Sequence, residues 1–283
     1  MHTAIDAAPL NRAGVVTRHP LLFFFVLAYA FSWAAELPLV ASAQGWTRRP
    51  VPFALHYLGA YGPLLAAFVT VGLTDGSGGI RRLLGRMVQW RVRPVWWLVA
   101  LSPLILYGLT AVALRLIRGS WIDVGVLGRV NFLPDLGIGA LVLWILNSGL
   151  GEETGWRGYA LPRLQRRRSA LSASLILSLF WIGWHVPTFL YLPTYMKLGL
   201  SVLPMFALGI AAGSVFLTWL YNGASGSLLM AMLWHGTFNY VTASPHGDQT
   251  VAAVLSTVAI VWAVVVILVW KPTTLSPAEK EVG

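Results

Sequence analysis

Residues 251–270 read VAAVLSTVAIVWAVVVILVW, twenty positions without one charge. An α-helix rises about 1.5 Å per residue, so this stretch covers about 30 Å, the thickness of a bilayer's hydrocarbon core. A helix at the surface of a soluble domain carries a charged face, and this one has none. The strict alternation of a membrane β-strand is also missing. The stretch therefore predicts a spanning helix, and the fold depends on how many others resemble it.

Working outward, comparable apolar runs fall near residues 21–40, 53–73, 95–117, 136–151, 171–190, 202–221 and 227–241. With 251–270 they make about eight. The predicted fold class is all-α: a polytopic membrane protein whose transmembrane helices enclose an intramembrane polar cavity. Composition agrees, with 57% hydrophobic residues, mean hydropathy +0.70 and 11% charged residues, against roughly 25% charged in soluble domains. The reading gives one membrane-embedded domain over 19–271 with short tails at 1–18 and 272–283. There is no cysteine, which excludes disulfides and thiolate chemistry.

The net charge of +10 would suggest nucleic acid in a soluble protein. Here the arginines stand between apolar runs, where they anchor loops to anionic lipid and set orientation. No nucleic-acid partner is predicted. With the N-terminus in the cytoplasm, the inner segments hold 14 of the 20 Lys and Arg residues, including Arg81, Arg82, Arg86, Arg91 and Arg93 and the group from Arg163 to Arg168. The positive-inside rule then places both termini in the cytoplasm, and the plasma membrane of a bacterium is the expected location. Arg48 and Arg49, outside, run against the trend. Arg12 and Arg18 before the first run, and Ala41-Ser42-Ala43 after it, resemble a cleaved signal peptide. The run is long for that, and Glu36 and Pro38 interrupt its end. Asp75-Gly76-Ser77-Gly78-Gly79 reads as a flexible turn. After it, Ile80, Leu83, Leu84, Met87 and Val88 alternate with arginines as in an amphipathic helix on the inner leaflet.

Charges inside a span cost several kcal/mol and are functional candidates by default. The fourth run ends in Gly151-Glu152-Glu153-Thr154-Gly155-Trp156-Arg157. Glu153 and Arg157 are four apart and can pair on one helix face. Glu152 points about 100° away, outside that pair. The alternative is a solvated helix end at the headgroups. His185 stands deep in the fifth run after Trp181, where a hydrogen-bonded packing histidine is the plainer reading. His235 and Asn239, in the seventh, share a face, and helix–helix hydrogen bonding would account for them. Taken together, an acid, two histidines and an amide are the parts of a hydrolytic site. A carboxylate and a histidine can deprotonate water, and a second histidine and an amide can donate to the oxyanion. The depths agree if the fourth helix continues through Trp156. Glu152 then lies about 16 Å below Arg163, His185 about 22 Å inward of Ala170 and His235 about 12 Å from Ser227.

Glu152-Glu153-x3-Arg157, Trp181-x3-His185 and His235-x3-Asn239, in this order, resemble the three signatures of the CPBP family, which takes in type 2 CAAX prenyl proteases and bacteriocin-processing or immunity proteins (the ABI family). The likeness runs from about Glu36 to Trp270, with softer matches at residues 61–67, in the arginine-rich helix around Arg81–Arg93, and at 155–164. It implies an eight-helix fold with a cytoplasm-facing site. It also implies that Glu152 and His185 activate the water, that His235 and Asn239 form the oxyanion hole, and that Glu153 and Arg157 support the site. Trp181 stands where the family usually has Phe, a change expected to alter cavity shape more than chemistry.

The predicted function is an intramembrane endopeptidase acting on a membrane-associated protein or peptide. Two rivals stand beside it. One is a non-proteolytic immunity or regulatory protein on the same scaffold. The other is a transporter, for which no inverted repeat is visible. Glu152, His185 and His235 would suit a three-ligand zinc site with one open position, but the His-Glu-x-x-His pairing is absent, and a metal-free Glu/His mechanism suits the residues equally. No residue encodes prenyl recognition.

Overall fold

The computed structural model describes residues 12–129, 136–242 and 249–282. Most of the tail 1–18 thus lies outside the described residues. The described residues are helical, with no strand. A short helix, Arg12–Arg18, leads into α1 (Pro20–Ala43). Then come α2 (Ala54–Gly59), α3 (Gly62–Thr74), α4 (Gly76–Met87), α5 (Pro94–Ala100) and α6 (Ser102–Arg118). The run that carries the paired glutamates becomes one continuous helix, α7, over residues 139–165. After it follow α8 (Ala170–Trp184), α9 (Thr188–Tyr191), α10 (Leu203–Gly223), α11 (Leu228–Thr242) and α12 (Gln249–Val269).

Five helical stretches are long and apolar enough to cross a membrane: Pro20–Ala43, Ala54–Thr74, Ala170–Tyr191, Gly199–Gly223 and Gln249–Val269. A sixth is the pair α5 and α6, bent by 57°. The other two expected runs form helices but do not reach that measure. The α7 helix is interrupted and carries charge, and α11 has only 15 residues. Both hold candidate site residues.

Beside its apolar core the molecule buries ionisable side chains, while large apolar ones face outward. Leu116, Ile117, Ile138 and Leu268 are each more than three-quarters exposed, while Glu36, Glu152, Glu153, Arg157, Gln165 and His235 are buried. That arrangement suits a lipid solvent, in which apolar surface costs nothing and charges need partners within the protein.

Close helix approaches rest on small residues. A Cβ on Gly62 would come within 2.7 Å of the Ala28 carbonyl oxygen, so the glycine lets α1 and α3 touch. The predicted flexible turn is corrected here. Only Asp75 lies between α3 and α4, and Gly76 to Gly79 are helical. The glycine at 79 serves packing rather than flexibility, since a Cβ there would meet Val71 Cγ1 at 2.8 Å. The amphipathic helix predicted after it is α4, with Leu83 buried and Arg82 exposed.

Candidate active site

The α7 helix does not keep α-helical winding. Ile145–Glu152 and Trp156–Ala160 are π-helical turns flanking a short α segment, Glu153–Gly155. Such turns widen the backbone and recur at functional sites. Nothing in the side-chain pattern announced them. They carry Glu152 and Arg157, with Glu153 at the start of the α segment between them, and α11 packs against the first of them.

That packing is close because of two glycines. A Cβ on Gly236 of α11 would lie 2.8 Å from the Ile145 backbone nitrogen, and one on Gly149 of α7 would lie 3.1 Å from the Met232 carbonyl carbon. The consequence is contact between side chains of the two helices. Oε1 of Glu153 accepts from Arg157 Nη1 at 3.0 Å and bonds His235 Nδ1 at 2.8 Å. The i,i+4 pair expected from spacing is therefore present, with both side chains fully buried. Glu153 has a second task, which is to hold His235.

Glu152 turns the other way, toward α8. Its Oε2 accepts a 2.8 Å hydrogen bond from the indole Nε1 of Trp181. This corrects the expectation that tryptophan in place of phenylalanine changes shape more than chemistry, because a phenyl ring has no N–H to donate. It also means that Glu152 is anchored. The Trp181 ring stands between the other candidates. The Arg157 guanidinium lies 4.6 Å from its centroid, and the rings of His235 and His185 lie 5.4 and 6.2 Å away.

His185 caps the C-terminus of α8 and is half-buried. Its Nδ1 is 2.8 Å from the Trp181 carbonyl oxygen, an acceptor, so Nδ1 carries the hydrogen and Nε2 is the nitrogen left for chemistry. His235 is held in the same sense by a carboxylate. Asn239, one turn beyond His235 on α11, is half-buried, and its side chain makes no hydrogen bond among the described residues. The structure thus brings Glu152, Arg157, His185 and His235 to the Trp181 indole, with Glu153 joined to the group through Arg157 and His235. Asn239 shares the helix of His235, one turn on.

Histidines held at Nδ1 are a familiar outer arrangement around metals. Among the described residues, however, no three His, Asp or Glu side chains are placed to share one ion.

Sequence reasoning passed over Glu36, noting it only as an interruption of the first run. It is 3% exposed on α1 and interacts electrostatically with Glu152. Its signal was available, since it is an ionisable residue inside an apolar run. Tyr191 and His56, which join it, had no such signal, because they stand at the ends of runs.

Comparison with known proteins bears on this segment. Residues 134–241 match the family model described as type II CAAX prenyl endopeptidase Rce1-like. That stretch contains all seven candidate residues, from Glu152 to Asn239. The chain is also 30% identical over 124 residues to the CAAX prenyl protease 2 of Methanococcus maripaludis. That alignment covers 40% of this chain and 42% of the relative, so the chain spans less than half the length of the curated relative it matches. These two findings bear out the resemblance to the CPBP, or CAAX protease, family.

Proposed function

We propose that the protein is an intramembrane endopeptidase of the CAAX-protease type. It would sit in the plasma membrane of a bacterium with both termini in the cytoplasm, and hydrolyse a peptide bond of a membrane-associated protein or peptide. The observation that carries this reading is the placement of Glu152. It is a carboxylate 5% exposed, in mid-helix, fixed by Trp181 and in electrostatic reach of His235.

In this reading Glu152, aided by His185 Nε2, takes a proton from water, and the hydroxide oxygen bonds to the scissile carbonyl carbon. The carbonyl oxygen becomes an oxyanion, which His235 and Asn239 receive. With Nδ1–H given to Glu153, His235 donates from Nε2 as the imidazolium, and the Glu153 carboxylate carries its counter-charge. The C–N bond then breaks, and Glu152 returns its proton to the leaving amine. Arg157 holds Glu153 in place and balances charge around it. No step calls on a metal. The name of the relative points to a prenylated C-terminal motif as the substrate class, a lipid-bearing peptide that meets the enzyme within the membrane.

The test is Glu152→Gln, assayed with a fluorogenic farnesylated peptide in detergent. The amide keeps the volume and can still accept from Trp181, but it is not a base. Cleavage should fall about 100-fold or more, the scale of a general base, at an unchanged melting temperature. Wild-type cleavage by that variant would sink the reading.

A further inference from the structure

Among the described residues, Glu36 is the buried acid that the scheme above leaves unused. It lies in α1, and Tyr191 of α9 is within electrostatic reach of its carboxylate. The Tyr191 hydroxyl is also 2.6 Å from Nδ1 of His56 on α2. A hydroxyl has one hydrogen. If Tyr191 turns it toward Glu36, His56 donates to the hydroxyl through Nδ1–H, and the three side chains form a chain on one side of the carboxylate. The other oxygen, Oε2, is buried with no hydrogen-bond partner. Burying an acceptor unsatisfied costs about 1–3 kcal/mol, more for a charged one, so an unpaired carboxylate oxygen in a span needs a reason.

The chain also gives up a side chain to hold this group. A Cβ on Gly59 would come within 2.8 Å of Glu36 Oε1 and 3.0 Å of its Cγ. The charged and titratable groups around Glu36 are therefore His56 from α2, Tyr191 from α9 and Glu152 from α7. None is a cation held against it as Arg157 is held against Glu153. A carboxylate built in within electrostatic reach of another carboxylate, without a counter-ion, is not a structural ion pair.

We propose that Glu36 is a positioning residue for the hydrolytic water, its free Oε2 binding the water's second hydrogen while Glu152 removes the first. Attack on a carbonyl carbon uses a lone pair of the water oxygen. That lone pair has a fixed direction only when both O–H bonds are held, and holding it converts loose encounter into oriented attack. Glu152 supplies one acceptor, anchored by Trp181. Glu36 supplies the other. The proton that leaves goes to Glu152 and on to the amine as before. This inference rests on the endopeptidase reading.

The experiment compares wild type, Glu152→Gln, Glu36→Gln and Gly59→Ala, purified in detergent, with the same farnesylated peptide, recording kcat, KM and melting temperature. Glu36→Gln should keep KM and melting temperature and lose about tenfold to 100-fold in kcat, the scale of a misplaced reactant. Gly59→Ala retains the carboxylate but crowds it, and its kcat should fall in the same direction at unchanged KM. A Glu36→Gln variant that cleaves at the wild-type rate while Glu152→Gln is inactive overturns this inference and leaves the base in place. Wild-type activity of Glu152→Gln overturns both. If Glu36→Gln does not fold, Gly59→Ala decides: a normal kcat there removes the positioning role.

Discussion

The indole of Trp181 donates to Glu152 at 2.8 Å, and the same ring carries the Arg157 guanidinium on its face, 4.6 Å from the centroid. One side chain of α8 thus fixes the orientation of a proposed base and shields the cation beside it. A hydrogen bond to a charged group contributes about 1.5–3 kcal/mol, and a desolvated cation–π contact about 2 kcal/mol. Trp181→Phe keeps an aromatic face, so it loses chiefly the first. The variant should fold, melt lower in detergent by several degrees, and cleave more slowly because Glu152 is no longer pinned. An unchanged melting temperature would show that the indole N–H contributes nothing to this site.

Glu153 is shared between Arg157 and His235, and this predicts an asymmetry. Arg157→Ala leaves the Glu153 carboxylate buried without its cation, the situation in which breaking a buried pair costs about 3–5 kcal/mol. Changing both, Glu153→Gln with Arg157→Met, removes both charges and should cost less than Arg157→Ala alone. Melting curves of the two variants check this. A double variant less stable than the single one would mean that the pair is held for its own attraction.

How far these features could be read beforehand differs from residue to residue. The helices were legible because lipid demands long uncharged runs, and 251–270 has no other reading. The Glu153–Arg157 pair was legible because i,i+4 spacing survives in most helical geometries. The bond from Trp181 to Glu152 was not, since it joins α7 to α8 across 29 positions and depends on the π-helical winding at Ile145–Glu152, which leaves no periodic trace. Glu36 was legible in principle, as an acid in an apolar run. Its electrostatic link to Glu152 was not, because that depends on how the helices pack.

The expected topology has a structural counterpart. Arg86 of α4 pairs with Glu281, Gln165 Nε2 donates to the Glu281 carbonyl, and Lys280 Nζ donates to the Arg168 carbonyl. Asp75 pairs with Arg163. These bonds gather the start of α4, the α7–α8 connection and the C-terminal segment at one end of the molecule. Reporters fused after Gly76, Ser169 and Lys280 should therefore agree with one another, and the positive-inside rule makes that side the cytoplasm. A disagreement among the three would contradict the packing. Agreement on an external location would reverse the orientation and place the arginine-rich end outside.

The contact of α7 with α11 gives the last prediction. Gly236 and Gly149 let the two backbones approach, and the 2.8 Å bond between His235 Nδ1 and Glu153 depends on that approach. A methyl group on Gly236 would meet the Ile145 nitrogen at 2.8 Å and its Cγ1 at 2.9 Å. The first of these is backbone inside a helix, which cannot turn aside as a flexible side chain can. The helices must separate, and the histidine moves with α11 while the glutamate stays with α7. Gly236→Ala should therefore lower stability by about 1–3 kcal/mol, the usual cost of overpacking, and lower kcat as well, since His235 lies one residue away. The control is Gly209→Ala on α10, where a Cβ meets nothing within 4 Å. There alanine should be neutral or slightly stabilising, because glycine inside a helix costs about 1 kcal/mol relative to alanine. Melting temperature and turnover of the two variants, measured side by side, separate a general intolerance of larger residues from this contact. Equal behaviour of the two would show that α7 and α11 do not need Gly236 to bring His235 to Glu153.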